Sequence, residues 1–193
     1  DAGGSDNFII RHNRFVDIMN TGMIVVLGMD YVGGSSANGY IRYNHDNWEI
    51  YGNLFMYDSN SGYTGWGVGD GVISVINDQI ANNWKVYNNS IVNVPGWSAG
   101  IKITGGLNNV VMNNIFYAYD GKNPKGLPTS AYCGASVCDY NWYFFENGAT
   151  YRAELFGPHD VIGNSDPFID WRNGDFRLKF AIPGFSLPSP YNL

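Results

Sequence analysis

One pattern of polar and apolar residues recurs four times along the chain. It consists of an asparagine, two residues, a β-branched apolar residue, two residues, a second asparagine, one residue and a large apolar residue. The second asparagines of the four copies are Asn13, Asn53, Asn89 and Asn114, and they follow one another at spacings of 40, 36 and 25 residues. Self-similarity of this kind predicts a repeat fold in which successive units stack on one another.

Three of the repeats also contain a short apolar run that begins at a glycine. These runs cover residues 22–27, 71–75 and 100–104. Each unit therefore supplies three short apolar runs bounded by glycine and asparagine, without the 3.6-residue period of a helix. We predict an all-β solenoid of parallel coils, with neighbouring coils about 4.8 Å apart.

Stacking the units places equivalent residues in columns. The predicted inward columns are Phe8, Trp48 and Trp84; Ile10, Ile50, Val86 and Val111; and Phe15, Phe55, Ile91 and Phe116. Alternate residues then face outward, which sets Glu49 beside Lys85 and aligns Arg11, Tyr51 and Tyr87. We expect the shared asparagines to occupy a tight corner, where the backbone adopts a left-handed conformation and stacked amides bond from coil to coil.

The glycine-led runs predict the exposed face of a third column of strands. Aligned on their glycines, they place Ile24, Ile73 and Lys102 outward, with Val26, Val75 and Thr104 beside them. Most of this column is apolar. We therefore expect a loop, a further domain or a partner to cover the face.

Composition and charge exclude several functional classes. Charged residues make up 15% of the chain, and the net charge is −6 without any cluster of Lys or Arg. A nucleic-acid partner is therefore not expected. No apolar run approaches the roughly 18 residues that a transmembrane helix requires. Cys133 and Cys138 form either a small disulfide-closed loop or two idle thiols. The 31 aromatic residues and the low charge favour a secreted or cell-surface location with the disulfide formed.

The repeats resemble the coils of right-handed parallel β-helix proteins, the pectate-lyase-like superfamily, whose members carry an asparagine ladder at one corner. Residues 139–143, 157–159, 166–170 and 173–178 resemble the C-terminal coils of secreted bacterial β-helix repeat proteins. The resemblance implies a right-handed, three-sheet parallel β-helix that forms one domain over residues 1–193, with an inserted loop at 117–138. It also implies that the chain is the C-terminal part of a longer protein. The fold hosts lyases, hydrolases, epimerases and non-catalytic fibres, so it does not decide the activity.

Insertions between the repeats indicate where a binding site lies, because added loops can build a cleft on a rigid solenoid. Loops 29–46 and 59–70 carry most of the candidates. The residues predicted to bind substrate are Tyr31, Tyr40, Arg42, Tyr63 and Trp66. Aromatic rings offer stacking surface to a sugar, and neighbouring polar groups bind its hydroxyls. The same aromatic residues also suit loops that merely pack against themselves.

The candidate catalytic residues are Asp70, Lys102, His45 and Asp46. In lyases with the β-helix fold that this chain resembles, a Lys or Arg removes the proton alpha to a uronate carboxyl, and Lys102 fits this role. For hydrolysis two carboxylates must face each other, and Asp70 is the best placed. His159 and Asp160 are assigned a structural role. No cofactor is expected, and Ca²⁺ is considered only as a weak loop site, because no acidic metal-binding repeat occurs.

Two functions remain open from the sequence. One is a secreted or surface β-helix protein that binds or processes polysaccharide, as a lyase or a glycoside hydrolase, in a cleft built from loops 29–46 and 59–70. The other is a non-catalytic adhesin or filament subunit. Its open β-helix end would be an unpaired strand edge that meets the protein's own missing N-terminal coils or an identical chain end to end.

Overall fold

The computed structural model describes residues 6–18, 23–27, 44–57, 72–76, 80–94, 100–103, 106–118, 131–132, 137–146 and 157–191. These residues form an all-β structure dominated by parallel sheets. Within the described ranges, helical structure is confined to two 3₁₀ turns, at Trp171–Asn173 and Pro183–Ser186. No helix there is long and apolar enough to cross a membrane.

Fifteen of the strands belong to three parallel sheets, each of which stacks equivalent segments of the repeat. The first sheet contains β1 (Ile9–Arg11), β5 (Glu49–Tyr51), β9 (Lys85–Tyr87), β12 (Val110–Met112) and β15 (Val137–Asp139). The second contains β2 (Arg14–Val16), β6 (Leu54–Met56), β10 (Ser90–Val92), β13 (Ile115–Ala118), β16 (Trp142–Phe145) and β17 (Val161–Ile162). The third contains β3 (Ile24–Leu27), β7 (Ile73–Ile76), β11 (Ile101–Ile103) and β14 (Ala131–Tyr132).

The other four strands form two small sheets. The parallel pair is β4 (Asn44–Asp46) with β8 (Ile80–Asn82), and the antiparallel pair is β18 (Phe168–Asp170) with β19 (Asp175–Leu178). Along the chain, a strand of the first sheet is followed by a strand of the second and then of the third. Because each sheet is parallel and passes from coil to coil, the arrangement is consistent with a β-helix-like solenoid.

Side chains that point inward stack in the predicted columns. Ile10 pairs in register with Ile50, and Ile50 pairs with Val86. The indoles of Trp48 and Trp84 lie parallel, with 4.7 Å between ring centroids. Phe8 continues this stack, but it is 48% exposed because its outer ring face lies at the first coil. Burial in the column is therefore confirmed for the two tryptophans and incomplete for Phe8.

In the predicted outward column of the third sheet, Ile24 and Ile73 were assigned to the wrong face, and Lys102 was assigned to the outer face but to the wrong register. Ile24, Ile73 and Ile101 pair in register, and all three are buried in the core. Lys102 pairs instead with Ser74. Aligning the runs on Gly100 shifted the last strand by one position, so the predicted column combined the inward Ile24 and Ile73 with the outward Lys102. The outward column is therefore not the apolar one that the glycines indicated.

The asparagine ladder is present and extends further than the repeat indicated. The Nδ2 atoms of Asn13, Asn53 and Asn89 each donate to the Oδ1 of the next ladder asparagine, at 3.1, 3.0 and 3.0 Å. Asn114 continues this series to Asn141, at 3.1 Å. In every step the same Oδ1 also accepts the backbone N–H of the preceding asparagine. Buried amides therefore join the coils through their side chains as well as through the strands.

We expect from the sequence that the ladder asparagine itself is left-handed at this corner. In the structure, the left-handed residue is instead the one before it. Positive φ occurs at His12, Gly52, Asn88, Asn113 and Tyr140. The ladder asparagine follows in an ordinary conformation, which leaves its side chain pointing into the interior. The turn requirement is therefore separate from the hydrogen-bonding requirement, and different residues meet the two.

A second ladder lies at another corner of the coil. Asn47 donates from Nδ2 to Oδ1 of Asn7, Asn83 donates to Asn47, and Asn108 donates to Asn83, at 3.2, 3.0 and 3.1 Å. These four asparagines adopt positive φ values between 58° and 61°. Asparagine suits this position because it tolerates the left-handed conformation while its amide bonds to the next coil.

The C-terminal segment, residues 166–191, covers the outer face of the second sheet. Phe168 and Trp171 pack there against Tyr117, and the indole N–H of Trp171 donates to the Tyr117 hydroxyl at 3.0 Å. At its other end, Tyr191 contacts the ring of Tyr87 at 5.3 Å. The segment therefore fastens several coils together by burying apolar surface outside the solenoid.

The range that we expected to form one inserted loop, 117–138, contains regular structure. Residues 117–118 end β13, β14 lies within the range, and β15 begins at Val137. Cys138, in β15, is disulfide-bonded. Cys133, the only other cysteine of the chain, lies outside the described residues.

Candidate functional site

The insertions expected at 29–46, 59–70 and 117–138 fall largely on residues outside the described ranges, namely 28–43, 58–71 and 119–130. Residues 28–43 lie between β3 and β4, residues 58–71 lie between β6 and β7, and residues 119–130 lie between β13 and β14. Each range therefore adjoins a strand of the third sheet (β3, β7 or β14), and two of the ranges also adjoin the second sheet through β6 and β13. Six predicted site residues, Tyr31, Tyr40, Arg42, Tyr63, Trp66 and Asp70, lie outside the described residues.

Lys102 lies on the outer face of this third sheet. It stands between the buried residues Ile101 and Ile103 in β11, and its own side chain is half-buried. Its neighbours across the sheet are Ser74 in β7 and Tyr132 in β14. Ser74 is completely buried, so this chain covers the outer face at that point. A cation on such a partly covered surface has less water to compete with a ligand's acceptor groups.

His45 and Asp46 do not have the loop setting that the sequence suggested. They belong to β4, which pairs with β8, and His45 is buried. The carbonyl oxygen of His45 accepts the indole N–H of Trp84 at 2.6 Å. Asp46 accepts Nδ2 of Asn82 at 2.7 Å, and its own backbone N–H donates to Asp6. Both residues thus make contacts that hold neighbouring coils together.

The first sheet presents its polar residues as stacked pairs. Lys85 and Glu49 form the predicted cross-coil pair, with 2.9 Å between Nζ and Oε1. This hydrogen bond raises the pKa of the Lys85 ammonium. The rings of Tyr51 and Tyr87 stack at 4.9 Å, and burial raises the pKa of Tyr87 to about 12. Tyr87 is buried, and the Arg11 guanidinium lies over the Tyr51 ring, 6.0 Å from its centroid. A sugar needs a free ring face for stacking, so these tyrosines are not suited to bind one.

The last coil carries a histidine–carboxylate pair that serves the backbone. His159 Nδ1 lies 2.6 Å from Oδ2 of Asp139. Oδ1 of Asp139 accepts two further bonds, from the backbone N–H groups of Tyr140 and His159. The ring of His159 stacks on Tyr140 at 4.5 Å. The carboxylate therefore fixes the turn that closes the last coil, and the structural role predicted for His159 fits this geometry.

Asp160 ends the asparagine ladder. Its Oδ1 accepts the backbone N–H and Nδ2 of Asn141, at 2.7 and 3.3 Å. Its Oδ2 accepts the backbone N–H of Gly157 and the hydroxyl of Tyr143. Burial raises the pKa of the Asp160 carboxyl, and these hydrogen bonds oppose the shift. The sequence predicted a structural role for Asp160 but did not place it in the ladder, because the repeat is defined by asparagine and this last position holds the corresponding acid.

Metal coordination finds no support in the described ranges. There, no group of three or more His, Cys, Asp and Glu side chains is placed to hold a metal ion. The weak loop site considered for Ca²⁺ falls on residues outside these ranges.

Comparisons with known proteins give no relative from which to take a function. No family model, curated protein or solved structure matches the chain significantly.

Proposed function

We propose that this chain is a right-handed, three-sheet parallel β-helix from a secreted or cell-surface protein, and that it binds polysaccharide along the flank of its third sheet. The observation that carries the proposal is the position of the insertions. Each of the three insertions adjoins a strand of the third sheet, whereas only two of them also adjoin the second sheet.

The two other outer faces are less suited to a ligand. The C-terminal segment occupies the second sheet through Phe168 and Trp171. On the first sheet, Glu49 and Lys85 form an ion pair with each other, and Tyr51 and Tyr87 stack on each other, so these side chains already have partners. The third sheet offers Lys102, together with the aromatic and acidic residues of the adjoining insertions. That combination suits a sugar polymer that carries hydroxyl and carboxylate groups.

The test is a binding assay on a panel of neutral and uronate-containing polysaccharides, by isothermal titration calorimetry. Lys102→Ala should weaken binding of an acidic polymer about tenfold, the worth of one charge-assisted hydrogen bond. Trp66→Ala should weaken binding of every polymer that the parent binds. Lys85→Ala is the matched control, since it removes a lysine from a different sheet, and it should leave the affinity unchanged.

Two outcomes contradict the proposal. One is the absence of binding to any polymer in the panel. The other is an equal loss of affinity in Lys102→Ala and Lys85→Ala, which would mean that binding follows net charge instead of this surface.

Cleavage is tested with the same polymers. Cleavage by a lyase (β-elimination) gives products with a carbon–carbon double bond that absorbs in the ultraviolet. Hydrolysis gives new reducing ends without that double bond. If a reaction occurs, Asp70→Asn should abolish hydrolysis, and Lys102→Ala should abolish β-elimination. Retained activity in the corresponding variant would remove that residue from the catalytic role.

A further inference from the structure

Each coil of the solenoid offers the same acceptor to the coil before it. Oδ1 of the ladder asparagine accepts two bonds from the preceding ladder asparagine, one from Nδ2 and one from the backbone N–H. Asn53 does so for Asn13, and Asn89 does so for Asn53. The ladder therefore has a direction, because donors point toward the C-terminal end and acceptors point toward the N-terminal end.

The first coil leaves the ends of both ladders open. Within the described part of the chain, Oδ1 of Asn13 accepts no hydrogen bond, although Nδ2 donates to Asn53 and to Arg11. Nδ2 of Asn7 likewise has no acceptor there, while Oδ1 of Asn7 accepts a hydrogen bond from Nδ2 of Asn47. One acceptor and one donor thus face away from the solenoid at fixed positions.

The same surface also presents apolar side chains and strand edges. Phe8 and Ile9 are 48% and 60% exposed, and Val16 is 40% exposed. In later coils the residues equivalent to Ile9 and Arg14 donate their N–H groups to the preceding coil. Lys85 N–H, for example, donates to the Trp48 carbonyl at 2.8 Å. An exposed edge of this kind is a template for another strand.

The other end of the solenoid does not complement this surface. The last ladder residue is Asp160, whose carboxylate has no N–H group to donate to Asn13. Its backbone N–H bonds to the Gly157 carbonyl. Stacking one copy on the next in ladder register would set a carboxylate against an amide oxygen. Two acceptors without a proton between them repel each other, and burying them unpaired costs free energy.

We propose that the surface formed by residues 7–16 is a docking site for one further coil of the same repeat, and not for the C-terminal end of a second copy. The docking coil places an asparagine over Asn13. The backbone N–H and Nδ2 of that asparagine donate to Oδ1 of Asn13. The coil also places an aromatic residue over Phe8, and its carbonyl groups accept the N–H groups of Ile9 and Arg14. This inference does not depend on the proposed polysaccharide binding.

A fusion supplies the docking coil. Residues 83–106 carry the shortest repeat, and joining a second copy of them directly to Asp6 reproduces the 25-residue spacing between Asn83 and Asn108. Backbone hydrogen exchange of Ile9 and Arg14 is then compared between the full chain and the fusion. Exchange at both amides should slow at least about tenfold, the effect of a bond worth about 1.4 kcal/mol.

The matched control is Asn89→Asp within the added copy alone. It keeps the size of the side chain but turns its donor into an acceptor facing Asn13, so the protection of Arg14 should be lost. Equal protection with either residue, or no protection with asparagine, overturns the proposal. So does a fusion that loses the protection of the Asn13 amide, because the first coil would then be disrupted.

Self-association is the remaining alternative. In sedimentation velocity, the unfused chain should not assemble head to tail, and Phe8→Ser should therefore leave its sedimentation unchanged. Concentration-dependent head-to-tail assembly that this substitution abolishes would show that a second copy occupies the surface, and the proposal would fall.

Discussion

Replacing Asn89 by alanine tests whether the buried amides hold the coils together. Asn89 is completely buried, and its side chain makes four hydrogen bonds. Two are accepted from Asn53. Two are donated, at 3.0 Å to Oδ1 of Asn114 and at 2.9 Å to the carbonyl of Ile50. Alanine removes all four and deprives the backbone N–H of Asn53 of its acceptor.

The magnitude follows from those groups. A buried N–H without an acceptor costs about 1–3 kcal/mol, and each bond lost from a group that keeps other partners costs about 0.5–1.5 kcal/mol. We expect the free energy of unfolding to fall by about 3–6 kcal/mol. At a urea dependence of about 2 kcal/mol per M, the unfolding midpoint moves down by about 1.5–3 M.

Asn13→Ala is the control for the same substitution at the exposed end of the ladder. Asn13 loses one side-chain bond to Asn53 and one to Arg11, while its backbone N–H keeps its acceptor. Because Asn13 is exposed and water can replace its lost partners, we expect a loss of only about 0.5–1.5 kcal/mol. The measurement is equilibrium urea unfolding followed by tryptophan fluorescence. If the two variants differ by less than about 1 kcal/mol, the ladder is not a main source of stability.

Two further predictions concern a turn and a surface carboxylate. Gly106→Ala should destabilise the chain far more than Gly174→Ala. Both glycines have φ of 85°, but a Cβ at Gly106 would overlap the Ala81 carbonyl oxygen, whereas a Cβ at Gly174 would meet nothing within 4 Å. Urea unfolding should give only about 1–2 kcal/mol for Gly174→Ala, and similar losses would contradict the packing at Gly106. Hydrogen bonds from Arg177 lower the pKa of Asp175 to about 2. Asp175 therefore adds stability above the ordinary carboxyl pKa, which is lost as the pH falls through about 2. In an NMR titration, Arg177→Ala should raise this pKa toward 3.8, and an unchanged value would refute the pairing.

The parallel repeat could be predicted from the sequence because its core columns combine two signals. Ile50 and Val86 follow the first asparagine of the repeat at the same offset, and the residue before each of them, Glu49 or Lys85, faces outward. Period and alternation agree here, so the register had one solution. That agreement also gave the Glu49–Lys85 pair.

The third sheet shows where such inference fails. Gly100 looked equivalent to Gly71, yet Ile101 pairs with Ile73. Glycine has no side chain to pack, so its position fixes the start of a strand only to within a residue. The apolar residues themselves decide which face is inside. The candidate site lies beside this sheet, where insertions interrupt the repeat and the columns no longer constrain the chain.

Asp160 shows how one substitution in a repeat gives the solenoid an end. An asparagine there would have to turn an NH₂ group toward either the donors of Asn141 or the N–H of Gly157, because both carboxylate oxygens act as acceptors. The acid satisfies donors on both sides and leaves nothing to donate onward. Asp160 thus closes the last coil and has no donor group for Asn13 of a second copy. Within the described part of the chain, Asn13, at the opposite end, still has a free acceptor for a further coil. We infer that the ladder both holds the coils together and determines the direction in which the solenoid can be extended.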